Sequence, residues 1–244
     1  MRLYLLSSLA CLLYGCIEST ILWAKPNVVI FFTDDQGTLD AGCYGAPYLK
    51  TPNIDQLAEN GVRFTQAYAH TVCCPSRAMM MTGRHPQRGG VNYWTQGNMN
   101  SPKGRNMALE ELTVAEVLKR EGYRTALFGK WHLGAHQDHG PKKQGFDEFF
   151  GIRNGFIDNF NHHFLHQTGY HDLYEGTTPL KADGKFFPEL MTHRALRFIE
   201  ESKDKPFFLY VPFNIPHYPE EAPETFAEPF KDIKDEATRS YATM

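Results

Sequence analysis

The sequence predicts an α/β fold in which a mostly parallel central sheet is flanked by helices. Two observations predict it. Continuous apolar runs, typical of strands buried on both faces, alternate along the chain with amphipathic segments of helical period. Polar side chains also follow the ends of three of these runs. Because ligands of parallel sheets bind beyond the carboxyl ends of the strands, we expect a functional site at that edge.

The composition is that of a globular domain. Of the 244 residues, 42% are hydrophobic and 22% are charged, which excludes a wholly disordered, collagen-like or polytopic membrane protein. Lys and Arg total 25 against 28 Asp and Glu, so no basic footprint predicts a nucleic-acid partner. Five cysteines are too few for a disulfide scaffold.

The N-terminal segment predicts export. Leu3–Gly15 is an apolar run of 13 residues, shorter than the roughly 20 residues that a membrane-spanning helix needs. It predicts a signal peptide over residues 1–24, although a buried N-terminal helix is an alternative. The four residues that end at Cys16 resemble a bacterial lipoprotein box, so the signal alternatively ends before that cysteine. We expect a periplasmic or extracellular protein that contacts a membrane only if it is lipidated at Cys16.

The first half of the domain, which we assign to residues 25–244, begins with a strand and a helix. Asn27–Thr33 is a continuous apolar run that ends in Asp34 and Asp35. Thr51 is suited to cap a helix that has Pro52 at its first position, and Gly61 is suited to end that helix.

The second half repeats the alternation. The sequence predicts helices over Thr113–Arg120 and Glu189–Glu201 and strands over Thr125–Phe128 and Pro206–Val211. Lys130 and His132 follow the first of these strands, and His217 follows the second. If the three strands are parallel neighbours, the polar residues after them line one edge of the sheet.

One short segment stands out chemically. Pro75 is suited to begin a helix, which would place Cys73 near a helix N-terminus, where exposed N–H groups favour an anion. Arg77 adds a positive charge one turn further on. A cysteine in such surroundings is suited to act as a nucleophile or to be modified.

These residues resemble a known family. Cys73-x-Pro-Ser-Arg77, continued by Thr82-Gly-Arg84, resembles the first signature of the type I sulfatases, and Gly122–His132 resembles the second. Asp34-Asp35 and Thr51-Pro-Asn53 also look like that family, and the resemblance runs from about Lys25 to the end of the chain. It implies an alkaline phosphatase/sulfatase-like fold and a sulfuric ester hydrolase.

The resemblance also implies the chemistry. In this family a formylglycine-generating or anaerobic maturation enzyme oxidises the first cysteine of the motif, here Cys73, to Cα-formylglycine. Hydration of the aldehyde gives two hydroxyls: one attacks the sulfur of a sulfate ester, and the other then helps to expel sulfate. By resemblance, Asp34, Asp35 and position 73 hold a calcium ion, which neutralises negative charge.

Further roles follow from the same resemblance. Arg77 would hold the formylglycine hydroxyl, Lys130 would contact sulfate and His132 would orient the hydrated aldehyde. His217 would protonate the leaving oxygen. The natural ester is not encoded in these motifs, and a carbohydrate sulfate is our first expectation for an exported enzyme.

The chain departs from the family near its end. Type I sulfatases supply an Asp-Asn pair to calcium after a later strand, and no such pair follows His217. Asp158-Asn159 has the right residues in a Gly/Asn-rich loop, and we do not assign it to the metal. We therefore expect residues 25–244 to be an incomplete N-terminal catalytic domain, truncated at its C-terminus. The alternatives are an inactive fragment and a related phosphoesterase or phosphonate hydrolase.

Seven histidines lie between His132 and His171. Their spacing fits no compact zinc pattern, so we expect a solvated loop or one wall of the substrate pocket.

Overall fold

A computed structural model describes residues 25–94, 101–164 and 169–244 of the chain. The predicted signal peptide and Cys16 lie outside the described residues. Within them, six strands form one sheet in the order β1-β6-β2-β3-β4-β5. The strands are β1 (Val28–Phe32), β2 (Arg124–Lys130), β3 (Glu148–Ile152), β4 (Tyr174–Glu175), β5 (Thr178–Pro179) and β6 (Phe207–Pro212).

The sheet is mixed, with a parallel core. β1 pairs with β6, β6 with β2, and β2 with β3, all in parallel, whereas β3-β4 and β4-β5 are antiparallel. The predicted mostly parallel sheet is confirmed for its central strands. The antiparallel additions extend only the far edge.

Helices cover both faces of the sheet. In chain order they are α1 (Pro52–Asn60), α2 (Cys73–Thr82), α3 (Val114–Arg120), α4 (Phe187–Glu201) and α5 (Glu236–Thr243). α2 and α3 pack in one core layer, and α4 packs in the other. No helix within the described ranges has the length and apolar character needed to cross a membrane.

Strand β6 shows how the two layers are built. All six of its residues are buried. Phe208 and Tyr210 face the layer of α2 and α3, whereas Leu209 and Val211 face the layer of α4. Because successive side chains of a strand point to opposite faces, a continuous apolar run is what a strand between two helical layers requires.

The same expectation is wrong for β1, which is not buried on both faces. Phe31 is 66% exposed and Val29 is also exposed, whereas Val28, Ile30 and Phe32 pack into the core. β1 is an edge strand of the described sheet, and α4 on its exposed side packs against β2, β3 and β6.

Helix boundaries largely follow the predicted signals. Thr113 caps α3 in a reciprocal capping box with Glu116. Thr51 precedes α1 as expected, but it makes no capping hydrogen bond to the helix. Its hydroxyl instead accepts from the Gly42 amide at 2.8 Å and donates to the Asp55 carboxylate at 3.1 Å. That part of the prediction is wrong because the side chain is used to hold a neighbouring loop.

Candidate functional site

The three predicted strand ends meet. β1, β6 and β2 are adjacent and parallel, so the residues after them reach one edge of the sheet. The pairing of β1 and β6 continues past the strands, because the Asp34 amide donates to the Ile215 carbonyl at 3.0 Å. One ligand atom each from Asp34, Cys73 and His217 lies within 4.8 Å of the others. The predicted meeting of the three strand ends is confirmed, and the helix that begins at Cys73 adds a residue that this prediction did not include.

Asp34 is the centre of a buried charge cluster. Its side chain is 4% exposed, and its two oxygens face the Lys130 ammonium and, at 3.3 Å, the Arg77 guanidinium. Burial alone would raise the pKa of the Asp34 carboxyl, but the charges of Lys130 and Arg77 outweigh it and hold that pKa well below its usual range. The carboxylate is therefore ionised at neutral pH.

Arg77 fastens α2 to the sheet edge. Its guanidinium donates to the Lys130 carbonyl at 3.0 Å and to the Phe213 carbonyl at 3.2 Å. It also lies 5.4 Å from the centre of the Phe32 ring. Burial lowers the pKa of Arg77, but the Asp34 carboxylate outweighs this and the net shift is upward. Arg77 thus contributes a fixed positive charge and also sets the position of the helix that begins at Cys73.

Cys73 is the first residue of α2 and is partly exposed. Its helix-terminal position is as predicted. Burial raises the pKa of the Cys73 thiol more than the positive charge of Lys130 lowers it. The side chain is therefore a neutral thiol at pH 7, which suits a residue that is modified better than one that attacks as a thiolate.

The His132 ring lies against Gly155, where the absence of a side chain leaves space for it. The His132 amide donates to the Arg153 carbonyl at 3.1 Å, and the His132 backbone has a positive φ of 52°. A Cβ on Gly155 would lie 2.7 Å from Cε1 of the His132 ring, so only glycine leaves room for the imidazole. Burial, with the charges of Lys130 and Arg77, holds the pKa of His132 well below its usual value. The ring is neutral at pH 7.

His217 faces the site from the other side. Its Nδ1 lies 2.7 Å from the Tyr218 carbonyl, which can only accept, so Nδ1 carries the hydrogen. Nε2 therefore faces the site and lies 3.7 Å from the Asp35 carboxylate. The ring stacks on Phe156 with 5.0 Å between centroids. Asp35 is the most exposed of the predicted metal ligands, and its backbone has a positive φ of 62°.

The structure also shows positioning residues that sequence reasoning missed. The Ser76 hydroxyl donates to the His70 carbonyl and accepts from the His70 amide, both at 3.0 Å, which fixes the segment before α2. Buried Asn214 donates to the Asn159 side chain at 2.7 Å and so connects the segment after β6 to the loop after β3. Ser76 belongs to the recognised motif, but nothing in the sequence signals the Asn214–Asn159 contact.

Asp158 is a loop residue, as the sequence suggested. Its carboxylate accepts from the backbone amides of Asn161 and His163 at 2.5 and 2.8 Å. Both oxygens are thus used to cap a turn, a common role for Asp.

Comparisons with known proteins agree on one family. The family model described as Sulfatase matches residues 26–244. The chain is 33% identical over 228 residues to arylsulfatase J of Mus musculus, covering 91% of this chain and 37% of that protein. It is 36% identical over 245 residues to arylsulfatase A of Homo sapiens, covering 90% of this chain and 48% of that protein.

Solved structures give the same result. The crystal structure of Ps i-CgsB matches with a TM-score of 0.81 and 31% identity, over 90% of this chain and 51% of that one. The structure of Ps i-CgsB in complex with k-i-k-neocarrahexaose matches with a TM-score of 0.78 and 32% identity over the same shares. The chain thus spans about half the length of these relatives, or less.

Proposed function

The chain belongs to the sulfatase family, and from this premise we propose that it carries the nucleophile segment of a sulfuric ester hydrolase. Such an enzyme cleaves a sulfate ester and releases sulfate and an alcohol. The observation that carries the proposal is the meeting of Asp34, Cys73 and His217 beside two buried cations, Lys130 and Arg77. A sulfate ester is an anionic tetrahedral group, so its cleavage requires positive charge next to a nucleophile and a proton donor, and this arrangement supplies all of these.

The side chains at the edge suit a divalent cation. Asp34 is held ionised and Asp35 lies next to it in the chain, so two hard carboxylates are available. With the oxygen of a formylglycine at position 73, they would hold the calcium ion proposed for this site. Bound there, the ion supplies positive charge opposite the sulfate, and formylglycine supplies a hydroxyl nucleophile.

Lys130 and Arg77 hold the anion. Both side chains are almost fully buried, and both face the Asp34 carboxylate. Because a charge in a water-excluded site is poorly screened, each of these cations attracts the sulfate group of an ester bound beside position 73. Arg77 is also fixed by two backbone carbonyls, so its charge needs little reorganisation during the reaction.

The two histidines have different roles. The His132 ring is neutral and confined against Gly155, so we assign it to orient the hydrated side chain at position 73 by hydrogen bonding. His217 presents Nε2 to the site and is 11% exposed, so it can take up a proton from solvent and pass it to the leaving oxygen.

Substrate class and cellular context form a finer part of the proposal. Ps i-CgsB was crystallised with k-i-k-neocarrahexaose, and this supports a carbohydrate sulfate as the substrate of the present protein. We propose that the protein is exported, matured at Cys73 by a formylglycine-generating or anaerobic enzyme, and membrane-attached only if lipidated at Cys16. Radiolabelled fatty acid incorporated into wild-type protein and lost in Cys16→Ser would support lipidation, whereas no incorporation would contradict it.

Sulfate release tests the main proposal. The protein, produced together with a maturation enzyme, should release sulfate from an aryl sulfate faster than phosphate from the matching aryl phosphate mono- and diesters. Cys73→Ala should abolish turnover, and His217→Ala should reduce it about 10²-fold or more. His193→Ala, which changes an exposed histidine of α4, should leave turnover unchanged. Faster phosphate release would instead favour a phosphoesterase, and undiminished activity in Cys73→Ala would exclude the proposed nucleophile.

A further inference from the structure

A second cluster of potential metal ligands lies apart from the sheet-edge residues. One ligand atom each from His162, His171 and Asp183 lies within 4.8 Å of the others, and none of these residues belongs to the first cluster. The sequence led us to expect a solvated loop or one wall of the substrate pocket here, and His162 is 0% exposed, so this part of the loop is not solvated. The spacing of 9 and 12 residues between ligands explains why no compact zinc pattern was visible.

The backbone holds the three residues in place. The two arms of the loop after β3 pair with each other, because the Asp172 amide donates to the His162 carbonyl at 2.8 Å and His163 forms an antiparallel bridge with His171. The turn that carries Asp183 is attached to the same loop, since the Gly184 amide donates to the Phe160 carbonyl at 2.8 Å. Main-chain hydrogen bonds, rather than contacts between the three side chains, therefore bring the potential ligands together.

Two buried imidazole nitrogens in the cluster have no hydrogen-bond partner within the described residues. They are Nδ1 of His162 and Nε2 of His171. Nε2 of His162 lies 3.0 Å from the Lys185 carbonyl, which can only accept, so this nitrogen carries the hydrogen and Nδ1 keeps a lone pair. A carbonyl that fixes the tautomer of a histidine in this way is typical of metal-ligating histidines. Leaving two buried ring nitrogens without a partner would cost free energy, which a bound cation would remove.

We propose that His162, His171 and Asp183 bind one divalent transition-metal ion, with Zn²⁺ as the preferred ion. Two imidazole nitrogens and one carboxylate oxygen suit Zn²⁺, whereas calcium prefers six to eight oxygens. Three protein ligands leave a fourth tetrahedral position for water.

The ion connects the two arms of the loop to the turn at Asp183, and this loop adjoins the active site. Phe164, at the end of one arm, packs against Phe156 at 5.3 Å between ring centroids, and Phe156 stacks on His217. Metal binding therefore stabilises the wall against which His217 is held.

The test is a Zn²⁺ titration of the full chain in a Cys73→Ser background, which removes the thiol of the other cluster. Calorimetry should give one Zn²⁺ bound per chain. His171→Gln and Asp183→Asn should each weaken binding at least about tenfold. His193→Ala, an exposed histidine of α4, is the matched control and should bind as the parent does. Co²⁺ in place of Zn²⁺ should show the intense visible absorption of four-coordinate cobalt, and both ligand variants should lose it.

Two results would overturn the proposal. The first is the absence of stoichiometric Zn²⁺ binding in the parent, and the second is unchanged affinity in Asp183→Asn. Asp183 is exposed, so this variant is expected to fold even if His171→Gln does not, and circular dichroism checks that it does. The readout is metal binding, so loss of sulfate release alone would not affect the result.

Discussion

At the scale of single residues, the site is dominated by a carboxylate shared between two buried cations. Asp34 contacts Lys130 and Arg77, and almost no water reaches any of the three. Each charge depends on the others for its stabilisation, because burying an unpaired charge is costly.

Removing Lys130 should therefore destabilise the fold as well as the site. Lys130→Met leaves Asp34 with only Arg77, and we expect the free energy of unfolding to fall by about 3–5 kcal/mol. The control is Lys119→Met, which breaks an exposed ion pair with Asp147 and should cost about 1 kcal/mol or less. Urea denaturation measures both. Equal losses in the two variants would show that the buried cluster is not a stabilising unit.

The thiol of Cys73 should react slowly at neutral pH. Burial raises its pKa above the ordinary value of 9.0, so the reactive thiolate is scarce at pH 7 and increases with pH. In protein made without a maturation enzyme, alkylation of Cys73 by iodoacetamide should speed up about tenfold per pH unit between pH 7 and 9. Peptide mass spectrometry separates this residue from Cys43. A fast rate that is already independent of pH at pH 7 would mean that the helix N-terminus lowers the pKa after all.

The residues that we propose to react could be recognised in the sequence, but the residues that support them could not. Cys73, Lys130 and His132 lie in long motifs of distinctive composition. The role of Gly155 depends on a ring that reaches it from another segment, and the role of Asn214 depends on a residue 55 positions away. Such contacts form only when the sheet brings distant loops together. The spacing of residues within one segment therefore cannot predict them.

At the scale of elements, two glycines of the central strands leave no room for a side chain. A Cβ on Gly129 of β2 would lie 2.0 Å from the Pro212 carbonyl oxygen of β6. A Cβ on Gly151 of β3 would lie 1.9 Å from the Gly129 carbonyl oxygen. Both contacts are to backbone, which cannot move aside without shifting a strand. These glycines therefore fix the spacing of strands that end at Lys130 and at the loop beside His132.

Gly151→Ala should accordingly be strongly destabilising. We expect a loss of about 3 kcal/mol or more in the free energy of unfolding, because steric overlap adds to a positive φ of 150°. Gly184→Ala is the control: its φ is 78°, but no atom lies within 4 Å of the added Cβ, so only the backbone term of about 1 kcal/mol applies. If both variants lose the same amount in thermal or urea unfolding, close strand approach is not the cause.

The elements that sequence reasoning found are those with a long periodic pattern. α4 and β6 were predicted within two residues, because each has an apolar face or run that packing requires. β3 was missed although four of its five residues are buried, and β4 and β5 have only two residues each. Short strands at the edge of a sheet are stabilised by pairing with a neighbouring strand. They are too short to show a periodic pattern of apolar residues in the sequence.

At the scale of the whole molecule, two core layers meet a single sheet whose carboxyl edge carries the site. α2 brings Cys73 from one layer, and the loops after β1, β2 and β6 bring the charged residues from the sheet itself. The proposed zinc loop adjoins the same edge through Phe156. The arrangement places the proposed chemistry at one edge of the sheet. Under the proposed function, activity depends on the modification of Cys73.

Peptide mass spectrometry at position 73 tests this central claim most directly. In protein produced with a maturation enzyme and shown to release sulfate, the peptide that contains position 73 should carry formylglycine or its hydrate. Cys74→Ala, at the neighbouring fully buried cysteine, should keep the modification and lose only about 1 kcal/mol of stability. Cys73→Ser should carry no aldehyde where the enzyme acts only on cysteine. An active preparation in which Cys73 is entirely an unmodified thiol would contradict the account.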